Sequence, residues 1–191
     1  MLAKFKPLFL VVMIVLALAP CAQAQEEVAG GADAAEYQPV PRQFRTLALG
    51  MPLDELRSVL TQDRLFAFRG ERDVSFLPVR QETLVETAGN SFIRRAHFQL
   101  TEGEVFIMSF TLDTRRVDHY SVFMTFVNRY GQPVTLNPAE AVWEDDSTRV
   151  SIERPLTVKY IDLAVFRRLQ EESQTLKAGE TLLQERFLNE F

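Results

Sequence analysis

The two histidines, His97 and His119, are the side chains in this sequence best suited to proton transfer or metal binding near neutral pH. They belong to different predicted elements, and neither stands in a His-x-x-x-His or Glu-x-x-His spacing that would suit a metal site. His97 falls on the polar side of a predicted strand together with Arg95, and His119 begins a predicted helix. We therefore favour ordinary side chains over ligands or bases at both positions. Arg95 and His97 are candidates for contact with a partner.

Clusters of charge offer a second kind of chemistry, the binding of ions. Three adjacent carboxylates, Glu144-Asp145-Asp146, could coordinate calcium, but they lack the alternating oxygen spacing of a calcium loop, and a solvated turn is the favoured interpretation. Three arginine pairs, Arg94-Arg95, Arg115-Arg116 and Arg167-Arg168, could form an anion-binding patch if the fold brought them together. Neighbours on a strand point to opposite faces, so separate surface charges are favoured here. We expect no metal ion and no cofactor.

The sequence contains no motif for a catalytic nucleophile. Neither a Gly-x-Ser-x-Gly turn nor a glycine-rich loop for nucleotide phosphates is present. A serine, a histidine and an aspartate could still converge, because the members of such a triad can be scattered along a chain. We predict a protein without a catalytic centre, and an enzyme is the alternative.

Trp143, the only tryptophan, has two interpretations. It either fills the core beside the second group of strands or anchors an interface, because a large aromatic side chain with one N–H donor suits both places. The core is favoured, and Trp143 remains a candidate interaction residue beside Arg95 and His97.

The first 24 residues have the pattern of a secretory signal peptide. Lys4 and Lys6 precede an apolar run of about 12 residues, and the small residues Ala22 and Ala24 follow it. The run is shorter than the roughly 20 residues of a membrane-spanning helix, and no second run of this kind follows. We therefore expect cleavage after Ala24 and a mature chain of the periplasm, or secreted, without a transmembrane segment.

Cys21, the only cysteine, supports a second interpretation of the leader. Leu18-Ala19-Pro20-Cys21 approximates the sequence at which bacterial lipoproteins are cut and lipidated, although proline stands where a small residue is usual. Lipidation at Cys21 would make the protein a membrane-anchored lipoprotein. Cleavage after Ala24 would instead leave a mature chain with no cysteine, which excludes disulfides and thiolate chemistry.

The mature chain is acidic. Removing a leader with two lysines and no acidic residue takes the formal net charge from -5 to -7. Proteins whose main partner is nucleic acid or anionic lipid are usually basic, so the charge argues against both classes of partner.

The distribution of apolar residues divides the chain into three segments. They are a signal peptide (1–24), a flexible acidic linker (25–42) and a single domain (43–191). Within the domain, the halves 43–113 and 118–162 have the same order of a helix followed by strands, and a helical tail (163–191) completes it.

Local patterns predict the elements of this domain. Phe92 to Thr101 and Glu104 to Asp113 alternate apolar and polar residues around Glu102-Gly103, which predicts a tight hairpin. The predicted strands are 82–87, 92–101, 104–113, 141–145, 148–153 and 156–161, and the helices begin near Pro52, Asp118 and Asp162, the last with a break at Gly179. The helix after Asp118 should bury the stripe Tyr120, Phe123, Val127 and Tyr130.

We predict an α+β two-layer sandwich, with an antiparallel sheet, helices on one face, a tandem α-βββ repeat and a C-terminal helix.

Similar glycine, proline and apolar positions recur in both halves. They are Leu49-Gly50-Met51, Asp54-Glu55-Leu56, Val59-Leu60, Tyr130-Gly131-Gln132-Pro133, Trp143 and Tyr160. In these positions the chain resembles the BamE/SmpA-like group of small exported proteins of the bacterial envelope. Beta-lactamase inhibitor proteins are similar in using two such units in tandem. The resemblance implies a partner-binding role at the envelope without catalysis, and it assigns no functional residue.

We therefore predict an exported protein that binds another envelope protein, as an assembly factor or a scaffold. The alternative is a periplasmic small-ligand-binding protein or an enzyme with a pocket between sheet and helices. A filled core beside an exposed apolar patch would favour the first, and a deep pocket with converging polar groups would favour the second.

Overall fold

A computed structural model describes residues 37–77 and 82–190. The strands are β1 (Gln43–Phe44), β2 (Leu47–Ala48), β3 (Val74–Leu77), β4 (Glu82–Ala88), β5 (Ile93–Thr101), β6 (Glu104–Leu112), β7 (Thr135–Leu136), β8 (Glu140–Glu144), β9 (Thr148–Glu153) and β10 (Thr157–Asp162). The helices are α1 (Leu53–Gln62), α2 (His119–Tyr130) and α3 (Leu163–Leu188), with one turn of 3-10 helix at Gly70–Asp73. The fold is α+β, as the sequence predicts.

Eight strands form one antiparallel sheet in the order β3-β4-β5-β6-β10-β9-β8-β7. Each half of the chain contributes four consecutive strands, and the last strand of each half, β6 or β10, pairs with the other at the centre. Each half therefore has one strand more than the three predicted. The additional strands, β3 and β7, are short edge strands, and neither is long enough to show a clear alternation of apolar and polar residues.

The hairpin of β5 and β6 turns at Glu102-Gly103, where both residues have positive φ (53° and 84°). A two-residue loop of this kind matches the natural twist of the strands. A register shift near each end of the strand pair interrupts strict alternation. At one end Ile93 takes the buried position that alternation assigns to Phe92, which is exposed, and at the other end both Val105 and Phe106 are buried.

One face of the sheet, which we call the covered face, packs under α1 and α2. Leu56 and Leu60 of α1 belong to the same buried cluster as Phe98 and Phe110 of the sheet. The ring of Phe110 lies 4.5 to 6.3 Å, centroid to centroid, from the rings of Phe44, Phe66, Phe98 and Tyr160. This aromatic cluster is the centre of the core, because large rings bury more apolar area than other side chains.

The apolar side of α2 is shifted from the predicted stripe. Phe123, Phe126, Val127 and Tyr130 pack against the core as partly buried side chains. Tyr120, which we expected on the same stripe, is 69% exposed. The observed set follows the i, i+3, i+4, i+7 spacing from Phe123, so the stripe begins one turn later than expected.

Both predicted aspartate caps are present. Asp118 accepts the backbone N–H of Ser121 at 2.9 Å, and Asp162 accepts that of Val165 at 3.1 Å. The predicted break at Gly179 is wrong, because α3 continues through it to its end. One glycine inside a long helix costs about 1 kcal/mol and does not by itself end the helix.

Residues 37–42, which we assigned to the flexible linker, lie against the domain. The backbone N–H of Gln38 donates to the carbonyl oxygen of Arg129 at 2.8 Å. The guanidinium of Arg42 pairs with the carboxylate of Asp162 at the start of α3. Residues 37–42 therefore belong to the domain, and the predicted linker boundary is wrong over this stretch. The local sequence does not reveal the contact, because the carboxylate that holds Arg42 comes from a distant part of the chain.

No helix within residues 37–77 and 82–190 combines the length and the apolar character that crossing a lipid bilayer requires. The predicted signal peptide, the cleavage site after Ala24 and the lipidation candidate Cys21 lie outside the described residues.

Candidate functional site

The second face of the sheet, which we call the open face, lies opposite α1 and α2. Alternation along each strand places every second side chain on this face. Five polar side chains form a row across five neighbouring strands, and each is paired in register with the next. This polar row consists of Glu86 (β4), His97 (β5), Ser109 (β6), Lys159 (β10) and Ser151 (β9).

Lys159, near the middle of the sheet, is held by an acidic neighbour on β9. Its Nζ lies 2.7 and 2.9 Å from the two carboxylate oxygens of Glu153. The hydroxyl of Ser151 donates to the same carboxylate at 3.0 Å. Both charged side chains are about one-third exposed, so the pair stabilises the fold by at most about 1 kcal/mol. Its charges remain accessible to a partner.

Glu86, His97 and Ser109 follow each other in the order of an acid, a base and a nucleophile. They do not form the hydrogen-bonded relay of a catalytic triad, because Nε2 of His97 lies 3.6 Å from Oε2 of Glu86. The hydroxyl of Ser109 makes no hydrogen bond to another described residue. Glu86 instead lies 3.1 Å from the guanidinium of Arg95. The arrangement presents polar and charged groups for binding.

An apolar row lies beside the polar row, two residues further along the strands. It contains Leu84 of β4, Ile107 of β6 and Ile161 of β10, with Gln99 between the first two on β5. Phe166, in the first turn of α3, borders it. The polar and apolar rows line one shallow concavity of about 540 Å³. The open face therefore changes from apolar beside α3 to polar at its middle.

Of the three candidate interaction residues, Arg95 and His97 lie on the open face. Trp143 does not. Its side chain is 2% exposed, its Nε1 donates to the carbonyl oxygen of Gly131 at 2.8 Å, and its ring packs against Phe123 of α2. The assignment of Trp143 as an interaction residue is therefore corrected to a core residue, because both its ring and its N–H are already used within the fold.

The acidic turn Glu144-Asp145-Asp146 is occupied by donors from the protein itself. Oδ1 of Asp145 accepts the backbone N–H groups of Ser147 and Thr148, each at 2.8 Å. Burial raises the pKa of Asp145, but these hydrogen bonds outweigh it and hold the pKa below its ordinary value. Within the described part of the chain, no group of three or more histidine, cysteine or acidic side chains could hold a metal ion.

The arginine pairs do not form one patch. Arg95 pairs with Glu86, Arg115 and Arg116 with Asp113, Arg167 with Glu144, and Arg168 with Glu102. Hydrogen bonds from Arg115 hold the pKa of Asp113 below its ordinary value. Each of these arginines has a carboxylate within reach, so they lie as separate surface charges, which the sequence favours over an anion-binding patch.

A smaller concavity of about 340 Å³ lies between the start of α2 and the β7–β8 hairpin. Tyr120, Phe123 and Leu136 contribute apolar surface to it, and Arg154 and His119 contribute polar groups. Nε2 of His119 is buried and has no hydrogen-bond partner among the described residues. An unpaired buried polar atom costs about 1–3 kcal/mol, so this cavity would favour a ligand that reaches it. This buried, unpaired nitrogen distinguishes His119 from the ordinary helix-start residue that the sequence predicts.

Sequence reasoning missed Glu86, Ser109, Ser151 and Lys159. Each stands at a polar position of an alternating strand, and that signal is visible in the sequence. The row itself was not predictable, because it depends on the pairing of β6 with β10, two strands from different halves of the chain.

Neither a curated protein nor a solved structure matches this chain. Residues 42–172 match the TP0088 domain, and this stretch contains all ten strands of the described residues and the open face. The match covers well over half of the sequence, and the chain therefore belongs to the TP0088 domain family.

Proposed function

We propose that this protein is an exported, non-catalytic binding protein of the bacterial envelope that holds a segment of another protein on its open face. The observation that carries the proposal is the change from apolar to polar side chains across this face. An antiparallel sheet can expose one face to water, and such a face is normally polar along every strand. Here an apolar row, with Phe166 at its border, lies beside a row of paired charges.

The dimensions of the polar row favour a protein segment over a small molecule. Four spacings of about 4.8 Å separate Glu86 from Ser151 across the strands, so the row is about 19 Å long. A helix of about 13 residues would span that distance. An amphipathic segment laid along the rows would place its apolar side chains on Ile107 and Phe166 and its polar side chains over Lys159.

The charges of the open face indicate what such a segment carries. Lys159 is paired with Glu153, and Arg95 with Glu86, so both signs of charge are present in equal measure. A polyanion would meet repulsion from the two carboxylates, whereas a segment with acidic and basic groups could pair with both. The leader pattern and the resemblance to BamE/SmpA-like proteins support placing this partner in the envelope.

Capture of partners from a detergent extract of the native envelope, with identification by mass spectrometry, tests the proposal. The variant Ser109→Arg places a bulky cation in the middle of the polar row. The matched control is Ser58→Arg, an exposed position on α1 at the other side of the sheet. We expect the protein captured by wild type to be retained by Ser58→Arg and lost by Ser109→Arg. Equal capture by both folded variants would contradict the proposal.

The cavity beside His119 supports a second candidate function, the binding of a small ligand. Its apolar wall and the cation of Arg154 suit a small apolar carboxylate. We would measure thermal unfolding with a panel of such acids for wild type, Arg154→Ala and the control Arg129→Ala. A ligand-dependent rise in Tm that only Arg154→Ala abolishes would favour this function, and no rise with any acid would exclude this ligand class.

A further inference from the structure

The last two-thirds of α3 extend away from the sheet. The helix has 26 residues, which corresponds to a length of about 39 Å. Its first turns contact the domain through Arg167, 3.8 Å from Glu144, and Arg168, 2.9 Å from Glu102. Every residue from 171 to 190 is exposed. Most of this projecting part also lies beyond the end of the TP0088 domain match at residue 172.

Leucines recur at a regular spacing along α3 and into its projecting part. Leu169, Leu176 and Leu183 are seven residues apart, and Leu176 and Leu183 are 71% and 66% exposed. A seven-residue apolar repeat keeps one stripe facing a partner helix along a coiled coil. Ser173 and Glu180 precede Leu176 and Leu183 by three residues, at the second seam position of the same repeat. Leu169 is partly buried, whereas from Ser173 to Leu183 the stripe is a helix-pairing surface that nothing in the described chain covers.

We propose that this stripe binds the same stripe of a second copy of the protein, with the two α3 helices antiparallel. Most of the stability of a helix in a protein comes from packing an apolar face, and pairing would bury the exposed leucines. In a parallel pair Glu180 would face Glu180 of the other copy. In an antiparallel pair it faces Leu176, and Glu172 comes opposite Arg186 of the second copy. The two-fold symmetry produces this complementary charge pair twice, whereas the like-charge pair of this register, Lys177 opposite Lys177 of the second copy, occurs once at the axis.

The antiparallel arrangement also fits the position of the domain. Each α3 begins directly after β10, so the domain lies at the N-terminal end of its helix. Helices in contact are about 8–10 Å apart, and a parallel pair would force two domains together at that distance. Antiparallel helices place the two domains at opposite ends of the pair.

Sedimentation equilibrium of the purified exported protein tests the proposal. We expect a dimer for wild type at about 50 µM, and dimerisation weakened at least tenfold, about 1.4 kcal/mol, by Leu176→Glu with Leu183→Glu. The matched control, Gln174→Glu with Thr181→Glu, adds the same charge at exposed positions off the stripe. It should remain dimeric, and thermal unfolding should show that all variants keep the folded domain. A monomeric wild type, or a dimer unaffected by the leucine changes, would overturn the proposal.

Disulfide trapping tests the orientation in a Cys21→Ser background. Ser173 lies opposite Leu183 of the second copy in the antiparallel pair, so Ser173→Cys with Leu183→Cys should cross-link, whereas Ser173→Cys alone should not. Efficient cross-linking of Ser173→Cys alone would show parallel helices and overturn the antiparallel arrangement.

Discussion

On the covered face Phe110 and Tyr160 are buried beneath helices, whereas their chain neighbours on the open face, Ser109 and Lys159, line a concavity that solvent enters. The two faces are thus made by the same strands, one residue apart. On the covered face a large ring contributes to stability through the apolar area it buries. On the open face a partly exposed ion pair contributes little to stability. The open face can therefore be specialised for binding without loss of the fold.

The largest expected effect is the loss of a ring from the covered face. Phe110→Ala should lower the free energy of unfolding by about 3–5 kcal/mol, because it removes transfer energy and leaves a cavity among four aromatic neighbours. Thr111→Ala, one residue further on the same strand and on the open face, is the matched control and should cost less than about 1 kcal/mol. Urea unfolding measures both, and similar losses would contradict the distinction between the faces.

The fold was predictable where the signal is local. The glycine turn between β5 and β6 and the caps at Asp118 and Asp162 depend on residues close in sequence, and the structure confirms them. The docking of residues 37–42 was not predictable, because Arg42 pairs with a carboxylate 120 residues away. The two register shifts of β5 and β6 were missed for a similar reason, because buried neighbours, rather than the local alternation, decide which of Phe92 and Ile93 is covered.

The candidate site was predictable only in part. Arg95 and His97 were named from the polar side of one strand, and both lie on the open face. Lys159 and Ser109 became visible only once β10 was seen to pair with β6. The size of Trp143 correctly favours a core residue, but composition could not show that its N–H donates to the carbonyl oxygen of Gly131.

Alkaline pH should lower the stability by an intermediate amount, and the residue responsible also lies on the covered face. Burial raises the pKa of Tyr160 above its ordinary value of 10.0. Above about pH 10 the unfolded chain releases this proton while the folded protein keeps it, so stability falls by up to about 1.4 kcal/mol per pH unit. Tyr160→Phe should flatten this decline in urea unfolding between pH 9 and pH 11. Tyr120→Phe, at an exposed position of α2, should leave it unchanged, and an equal decline in all three proteins would contradict the assignment.

The smallest expected effect on stability is at the open face, where the effect on binding should be large. Lys159→Met removes the cation 2.7 Å from Glu153, but Ser151 still donates to that carboxylate at 3.0 Å, and nearly a third of Glu153 remains exposed to water. We therefore expect a loss of less than about 1 kcal/mol in urea unfolding. A double-mutant cycle with Glu153→Gln should give a coupling energy within the same limit. Capture of the envelope partner should nevertheless fall at least tenfold, because the variant removes a charge from the middle of the polar row. A loss of stability close to that of Phe110→Ala, with capture unchanged, would mean that the open face serves the fold and that the two faces do not differ in role.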